Sequence, residues 1–382
     1  MIEKKHALLS ASASQRWLNC TPSARLGQSI EDTSSSYATE GTCAHELGEY
    51  KLRCALGEDL SQVADIRDNL EYYDSEMEDA TDEYVNYILE QYANVQKHYP
   101  HPQVLTEQRV NFSKYVPEGF GTCDCIIVSE KELIVCDLKY GKGLQVNAED
   151  NTQMMLYALG ALEMFDSLYD IESITMTIIQ PRRSNISSQT ITKEALQRWA
   201  LETLVPAATL AFAGGGDFNC GEWCQFCKVK HNCRARAERN LELAKHEFAL
   251  PPLLEASEIA SILTQVDDLV SWASNVKDFA LIEAMKGVKF NGFKVVEGRS
   301  NRRYTNDTAV ADTVAKTGLD PFEHKLLGIT AMEKLLSKKR FTELLGGLVE
   351  KPTGKPTLVP TSDKRQEINI MSAADDFATT EN

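Results

Sequence analysis

Apolar and polar positions alternate along residues 104–112, with Val104, Thr106, Gln108, Val110 and Phe112 on one parity, which predicts a β-strand. A second strand is expected over Asp124 to Val128, entered through the tight turn Gly119-Phe120-Gly121. A third runs over Leu133 to Lys139, joined to the second by a hairpin turn at Ser129 to Lys131 and stopped by Gly141 and Gly143. Side chains alternate faces along a strand, so Leu133, Val135, Asp137 and Lys139 share one face and Ile134, Cys136 and Leu138 the other. The period then lengthens. Met155, Leu159 and Leu162 form a helical stripe within Asp150 to Phe165, and Gln153 and Tyr157, four apart, project from one helix face. A β-branched strand follows over Ile174 to Ile179, ending at Pro181, and then a helix over Lys193 to Phe212.

Upstream, Ser10 to Asn19 reads as a short serine-capped helix anchored by Trp17 and Leu18, and Gln28 to Ser36 as a polar loop, a candidate gate of the active site. Thr39 to Leu56 is the first core helix, and Asp65 to His98 is acidic and helical, its tyrosines (Tyr72, Tyr73, Tyr84, Tyr87, Tyr92) placed for packing more than for base stacking. The order is helix, three strands, helix, strand: an α/β core with added helices. Gly214-Gly215-Gly216 reads as a flexible hinge, and Pro251-Pro252 marks a boundary. The chain therefore divides into residues 1–248, a mainly helical accessory domain at 249–350 and an extended tail at 351–382. In the accessory part Glu255 to Met285 and Ala309 to Leu348 are helical, with a short strand at Phe293 to Val296. Within the tail, Lys351 to Pro360 is proline-rich, a linker or a partner-binding segment.

Composition narrows the function. With 43% hydrophobic and 25% charged residues in 382, the chain has the make-up of a globular protein with ample material for a core. No run of about 18 apolar residues occurs, and the N-terminus lacks a signal-peptide core, so a cytoplasmic protein without a membrane span is expected. A formal net charge of −16 argues against a non-specific DNA coat, because phosphate binding needs local cations. A nuclease remains compatible, with basic residues gathered in a groove; Lys139, Lys142, Arg182, Arg183, Lys228, Lys230, Arg234 and Arg236 are the candidates.

The candidate chemistry lies between Gly121 and Tyr157. Asp124 and Asp137 on neighbouring strands can point the same way, offering hard oxygen ligands to Mg²⁺ or Mn²⁺. Such an ion acidifies bound water and stabilises charge on a scissile phosphate, and Lys139 two residues on can hold the water or neutralise that charge. An isolated Asp-x-Lys is more often an ion pair on a sheet edge. The surroundings change that reading. The element order, with an acid on the second strand, Asp137-x-Lys139 on the third and Gln153-x-x-x-Tyr157 on the next helix, resembles the PD-(D/E)XK nuclease superfamily and its restriction-endonuclease-like core. Gly41-x-x-x-His45 resembles the first-helix motif of the RecB-type branch. The resemblance implies metal ligation by His45, Asp124 and Asp137, with a backbone carbonyl from Leu138. It implies a catalytic role for Lys139, with Gln153 and Tyr157 orienting the nucleic-acid backbone or the carboxylates. Glu40, Glu46 and Glu49 are further acids on the first helix, and Glu49 shares the face of His45.

Ten cysteines in a cytoplasmic chain are not read as disulfides. Cys224, Cys227 and Cys233 form C-x2-C-x5-C, a spacing for Zn²⁺ or an iron–sulfur cluster. Spacing favours Cys220 as the fourth ligand. Cys20 is the alternative favoured by resemblance to iron–sulfur nucleases of the AddB and CRISPR-adaptation type, in which a [4Fe–4S] cluster staples the two ends of the nuclease domain. Cys43, Cys54, Cys123, Cys125 and Cys136 are expected in the core. The whole arrangement resembles bacteriophage-encoded RecB-like proteins. It implies a metal-dependent DNA nuclease, an exonuclease of phage recombination or DNA processing in the host cytoplasm, with DNA and a phage single-strand-binding or annealing protein as partners. The alternative is a non-cleaving DNA-binding or scaffolding protein on the same fold.

Overall fold

In a computed structural model, which describes residues 7–28, 30, 36–60, 65–244, 256–296, 305–316, 322 and 327–349, a 3₁₀ turn at Ala11–Ala13 leads into helices α1 (Ser14–Asn19), α2 (Ser23–Leu26), α3 (Ser36–Ala55) and α4 (Ser75–Gln96). Strands β1 (Gln103–Asn111), β2 (Phe120–Val128) and β3 (Glu132–Leu138) follow, then helix α5 (Thr152–Phe165) and strands β4 (Ser173–Gln180) and β5 (Asn185–Thr192). After them come α6 (Lys193–Trp199), a π-helical turn at Ala200–Leu204, α7 (Val205–Ala213), α8 (Arg234–Ala244), α9 (Ala256–Leu263) and α10 (Val266–Met285). The protein is α/β, with one mixed five-stranded sheet in the order β1-β2-β3-β4-β5. All neighbours are antiparallel except β3 and β4. That parallel pair requires a crossover, and α5 is the element that makes it.

The faces of the sheet follow the alternation. Leu133 and Val135 of β3 pack with Met154, Leu156 and Leu159 of α5, while Ile134, Cys136 and Leu138 pack with Leu52 of α3 and Tyr84, Val85 and Ile88 of α4. Central strands covered on both faces bury almost every side chain, which is why β3 and β4 read as continuous apolar runs. Asn151 caps α5, its Oδ1 accepting from the backbone N–H of Gln153 and Met154, and this fixes Gln153 in the first helical turn. α3 and α4 are latched by the buried Lys51, whose Nζ reaches Glu78 Oε1 at 2.9 Å, Asp82 Oδ1 at 2.7 Å and Thr81 Oγ1 at 3.0 Å. Tyr84 is buried and Tyr72, Tyr87 and Tyr92 pack against apolar clusters, whereas Tyr73 is exposed.

Several expectations are corrected. β5 is an addition to the expected order: it is an edge strand of Ser, Thr and Gln whose only two apolar side chains, Ile186 and Ile191, fall on opposite faces and make no alternating pattern. Residues Phe293 to Val296 form no strand; Phe293 is 85% exposed, and a lone extended segment has no ladder to join. The acidic segment from Asp65 is a 3₁₀ turn at Ile66–Asn69 followed, after a break, by α4. Ser10 precedes the first turn without a side-chain cap bond. Cys54 is exposed at the end of α3. The three glycines are no free hinge. Gly214, at φ +76, caps α7; Thr21 Oγ1 donates to Gly215 O at 2.7 Å, and a Cβ on Gly216 would meet that hydroxyl at 2.1 Å.

The chain divides into two compact units, Met1–Val296 and Glu297–Asn382, so a boundary at 248/249 falls inside the first. In the second unit the described residues form α11 (Asp307–Ala315), α12 (Ile329–Leu336) and α13 (Lys338–Leu345), with Phe341 buried. Most of Gln28 to Ser36, Pro251-Pro252 and the tail at 351–382 lie outside the described residues. Among the described residues no helix is long and apolar enough to cross a membrane.

Candidate metal centre and cysteine cavity

The alternation of the strands fails at one place, and the acids sit there. On β1, Val104 packs with the α4 layer, yet Val110, on the same parity, belongs to the α5 layer. On β2, Cys125 and Ile127 face α4, yet Cys123 packs on the α5 side. Both reversals occur at a pair of facing residues. Gln108 pairs with Cys123 and Thr106 with Cys125, which sets Glu107 opposite Asp124. Cys125 pairs with Cys136, which sets Asp124 beside Asp137. Three carboxylates therefore lie in a row across β1, β2 and β3. Glu107 adopts φ +44, a left-handed conformation that costs a non-glycine residue about 1 kcal/mol or more.

α3 supplies the fourth group. His45 Nδ1 lies 3.2 Å from Asp124 Oδ2, and His45, Glu107 and Asp124 each offer a ligand atom within 4.8 Å of the others. Asp124 Oδ2 also accepts from the Leu138 backbone N–H at 2.7 Å. Asp137 stands one strand over, facing α5. Its Oδ1 accepts from Gln153 Nε2 at 2.9 Å, and its Oδ2 lies 2.8 Å from Lys139 Nζ but out of line for a hydrogen bond, leaving a buried oxygen without one. Gln153 Oε1 in turn accepts from Lys139 Nζ at 3.1 Å, while its Nε2 also reaches the Tyr157 hydroxyl at 3.2 Å. Tyr157 fits because position 121 is glycine: a Cβ there would meet its ring at 2.8 Å.

Charge is balanced inside the site. Burial disfavours the His45 imidazolium, but the Asp124 carboxylate beside it and Asp137 beyond raise its pKa to about 9. Two opposite charges about 4 Å apart attract by about 4 kcal/mol at an effective dielectric of 20, enough to outweigh partial desolvation. Burial and the neighbouring Asp124 push Glu107 up to about 7. Burial also raises Asp137 against the pull of Lys139, and Lys139 is raised in spite of burial by Asp137. Burial opposes ionisation of Asp124, but His45 and the Leu138 N–H keep its pKa below the ordinary carboxylate value. The donor set suits a hard divalent cation, carboxylates and an imidazole, and His45 and Lys139 offset the charge of the acids.

Every residue read from the sequence as part of this site (His45, Asp124, Asp137, Lys139, Gln153 and Tyr157) is brought to it. Glu107 was missed. Its signal was a charged residue in the middle of an alternating strand. Glu49 pairs with Arg53 at 3.3 Å and Glu40 with Arg182 at 2.8 Å, and Glu46 is exposed. A side chain at Gly41 would meet nothing within 4 Å. The candidate groove cations are mostly committed elsewhere. Arg182 joins Glu40 and Glu76, Lys142 joins Glu76, Arg183 donates to the carbonyls of Lys142 and Gly143, and Arg236 is buried.

A second site closes the N-terminal segment onto the region after α7. Arg25 Nε donates to Phe212 O at 2.6 Å and Thr21 to Gly215 O, and these bonds bring the segment carrying Cys20 to the cysteine run. One cavity is lined by Cys20, Cys220, Cys224, Cys227 and Cys233 together. Cys20, Cys224 and Cys227 are buried and Cys220 and Cys233 half-buried. Burial and the adjacent thiols of Cys224 and Cys233 push Cys220 up to about 12. Cys43, Cys123, Cys125 and Cys136 are buried far along the chain, in the apolar layers.

The family model for DUF2800, described as a protein of unknown function, matches residues 6–366. Among solved structures, the one described as "Crystal structure of SSO0001" is 18% identical over 58% of this chain and 96% of its own, with a TM-score of 0.22, a likeness that carries no argument.

Proposed function

We propose that this chain, which belongs to the DUF2800 family, is a metal-dependent nuclease with a RecB-like PD-(D/E)XK core that hydrolyses phosphodiester bonds in DNA. The observation that carries the reading is the convergence of His45, Glu107, Asp124 and Asp137 with Lys139 at a break in strand alternation, from four separate elements. His45, Glu107 and Asp124 would hold Mg²⁺ or Mn²⁺, with Asp137 completing the acidic wall. A divalent ion there supplies Lewis acidity toward a phosphodiester oxygen and acidifies water. The rest falls to the chain. Gln153 is fixed by the Asn151 cap and by bonds to Asp137 and Tyr157, so its Oε1 holds the Lys139 ammonium. Lys139, so placed, orients the attacking water or meets the negative charge that grows on the phosphate. The resemblance that suggests the core also suggests a [4Fe–4S] cluster on Cys20, Cys224, Cys227 and Cys233, with zinc as the alternative. Its support is the single cavity lined by these four cysteines, with Cys220 beside them. The reading extends to an exonuclease acting on phage DNA in the host cytoplasm.

Digestion of end-labelled linear, circular and single-stranded DNA by anaerobically purified protein, with Mn²⁺ or Mg²⁺, tests the proposal. Cleavage of linear DNA is expected, falling by about a thousandfold in Lys139→Ala and Asp137→Asn with melting temperature little changed. DNA binding without cleavage would favour a scaffolding role instead. Undiminished cleavage by either variant would remove these residues from the chemistry.

A further inference from the structure

The lining of the cysteine cavity is lopsided in charge. It includes Arg16, Lys230 and Arg236 and, among the described residues, no carboxylate, in a chain whose formal net charge is −16. A wall of that kind favours an anionic occupant, and four thiolates around a [4Fe–4S]²⁺ core carry a net charge of −2. Arg236 is the unusual member. It is 1% exposed, and its Nε has no hydrogen-bond partner. A buried donor left unpaired is costly, so it calls for an acceptor. The rest of the guanidinium is held: Nη2 donates to Asp268 Oδ1 of α10 at 2.6 Å, and Nη1 reaches Lys230 O at 3.4 Å. Asn240, one turn along α8, donates to Asp268 Oδ2 at 3.3 Å. Phe279, three turns along α10, stacks on His231 of the cysteine segment at 4.1 Å. α10 is therefore docked beside the cavity, and its carboxylate bears on the one buried arginine there.

We propose that Arg236 is the cationic member of the cysteine site, donating through Nε to a thiolate or sulfide of the bound cluster and raising its reduction potential, with Asp268 of α10 moderating that effect. This rests on the iron–sulfur reading above. A fixed positive charge with little solvent screening favours the state with one more electron, and hydrogen bonds to cluster sulfur act in the same sense. Asp268, one bond further away, opposes it.

The test is an electron-paramagnetic-resonance titration of the anaerobically reconstituted full chain with dithionite, which supplies one electron to convert the 2+ core to 1+. At the wild-type midpoint, Arg236→Gln is expected to lower the ratio of reduced to oxidised cluster at least about tenfold, a midpoint about 59 mV lower. Asp268→Asn, which keeps Arg236, is expected to raise that ratio. The opposite signs are the signature, since loss of packing would not produce them. Should Arg236→Gln fail to retain the cluster, the Asp268→Asn shift alone decides. A wild-type cluster whose midpoint is unmoved by Asp268→Asn, or moved downward, overturns the role of Arg236 and leaves the cluster standing. Wild-type protein without iron and sulfide overturns both.

Discussion

The acid centre and the cysteine cavity solve opposite problems. At the first, carboxylates are crowded by strand register into one corner, and the protein answers with His45 and Lys139, so the group is nearly balanced before any ligand arrives. At the second, thiols from chain segments about 200 residues apart meet in a cavity whose wall carries cations and no carboxylate, and Asp268 of α10 pairs with the buried Arg236 from behind. One is a hard-ligand site built by local neighbours in a sheet, the other a soft-ligand site built by closure of the chain. The contrast predicts where each is fragile. The acid centre should lose ligand affinity and keep its fold; the cavity should lose fold when its sulfurs are lost.

The largest break in that comparison is expected from Cys20→Ser. On the proposed cluster, Cys20 closes a loop of about 200 residues, and its loss frees the unfolded chain, at about 5 kcal/mol on a chain-entropy estimate. Iron and sulfide content should fall with urea-unfolding stability. Cys220→Ser should leave both near wild type, and the reverse result would make Cys220 the fourth ligand. Next in size is Glu107→Gln. Calorimetric titration with Mn²⁺ should show affinity about ten- to a hundredfold weaker, with unchanged melting or a slight gain as the acids repel less. Unchanged affinity would put Glu107 outside the coordination sphere.

The smallest effect separates the sites by pH. α3, which carries His45, is latched to α4 through Glu78. Burial opposes its charge, but Arg67 and Lys51 outweigh that and hold its pKa at about 2, below the ordinary 4.5. Because the folded value is the lower one, the stabilisation is complete above pH 4.5 and disappears as pH falls from there toward 2. Urea unfolding of the wild type should therefore lose more stability between pH 6 and pH 3.5 than Glu78→Gln does, by about 1 kcal/mol. Equal losses would show the latch to be electrostatically idle.

The β3 faces, the helical stripe after Asp150 and the pairs Asp137/Lys139 and Gln153/Tyr157 were legible in the chain because periods of 2 and 3.6 are local rules; the Asn151 cap was not read from it. So was the cysteine spacing. Glu107 was not, because the register that sets it opposite Asp124 exists only once β1 pairs with β2. β5 was hidden by its polar edge. The glycine run reads as loose because the residue that ties it down, Thr21 on Gly215, lies nearly 200 residues away. Local pattern determined the elements and most side chains of the acid centre. Tertiary structure alone decided which acid completes it, which thiols share a cavity and that Arg236 is buried there, because register breaks and long-range closure depend on neighbours that sequence separation does not reveal.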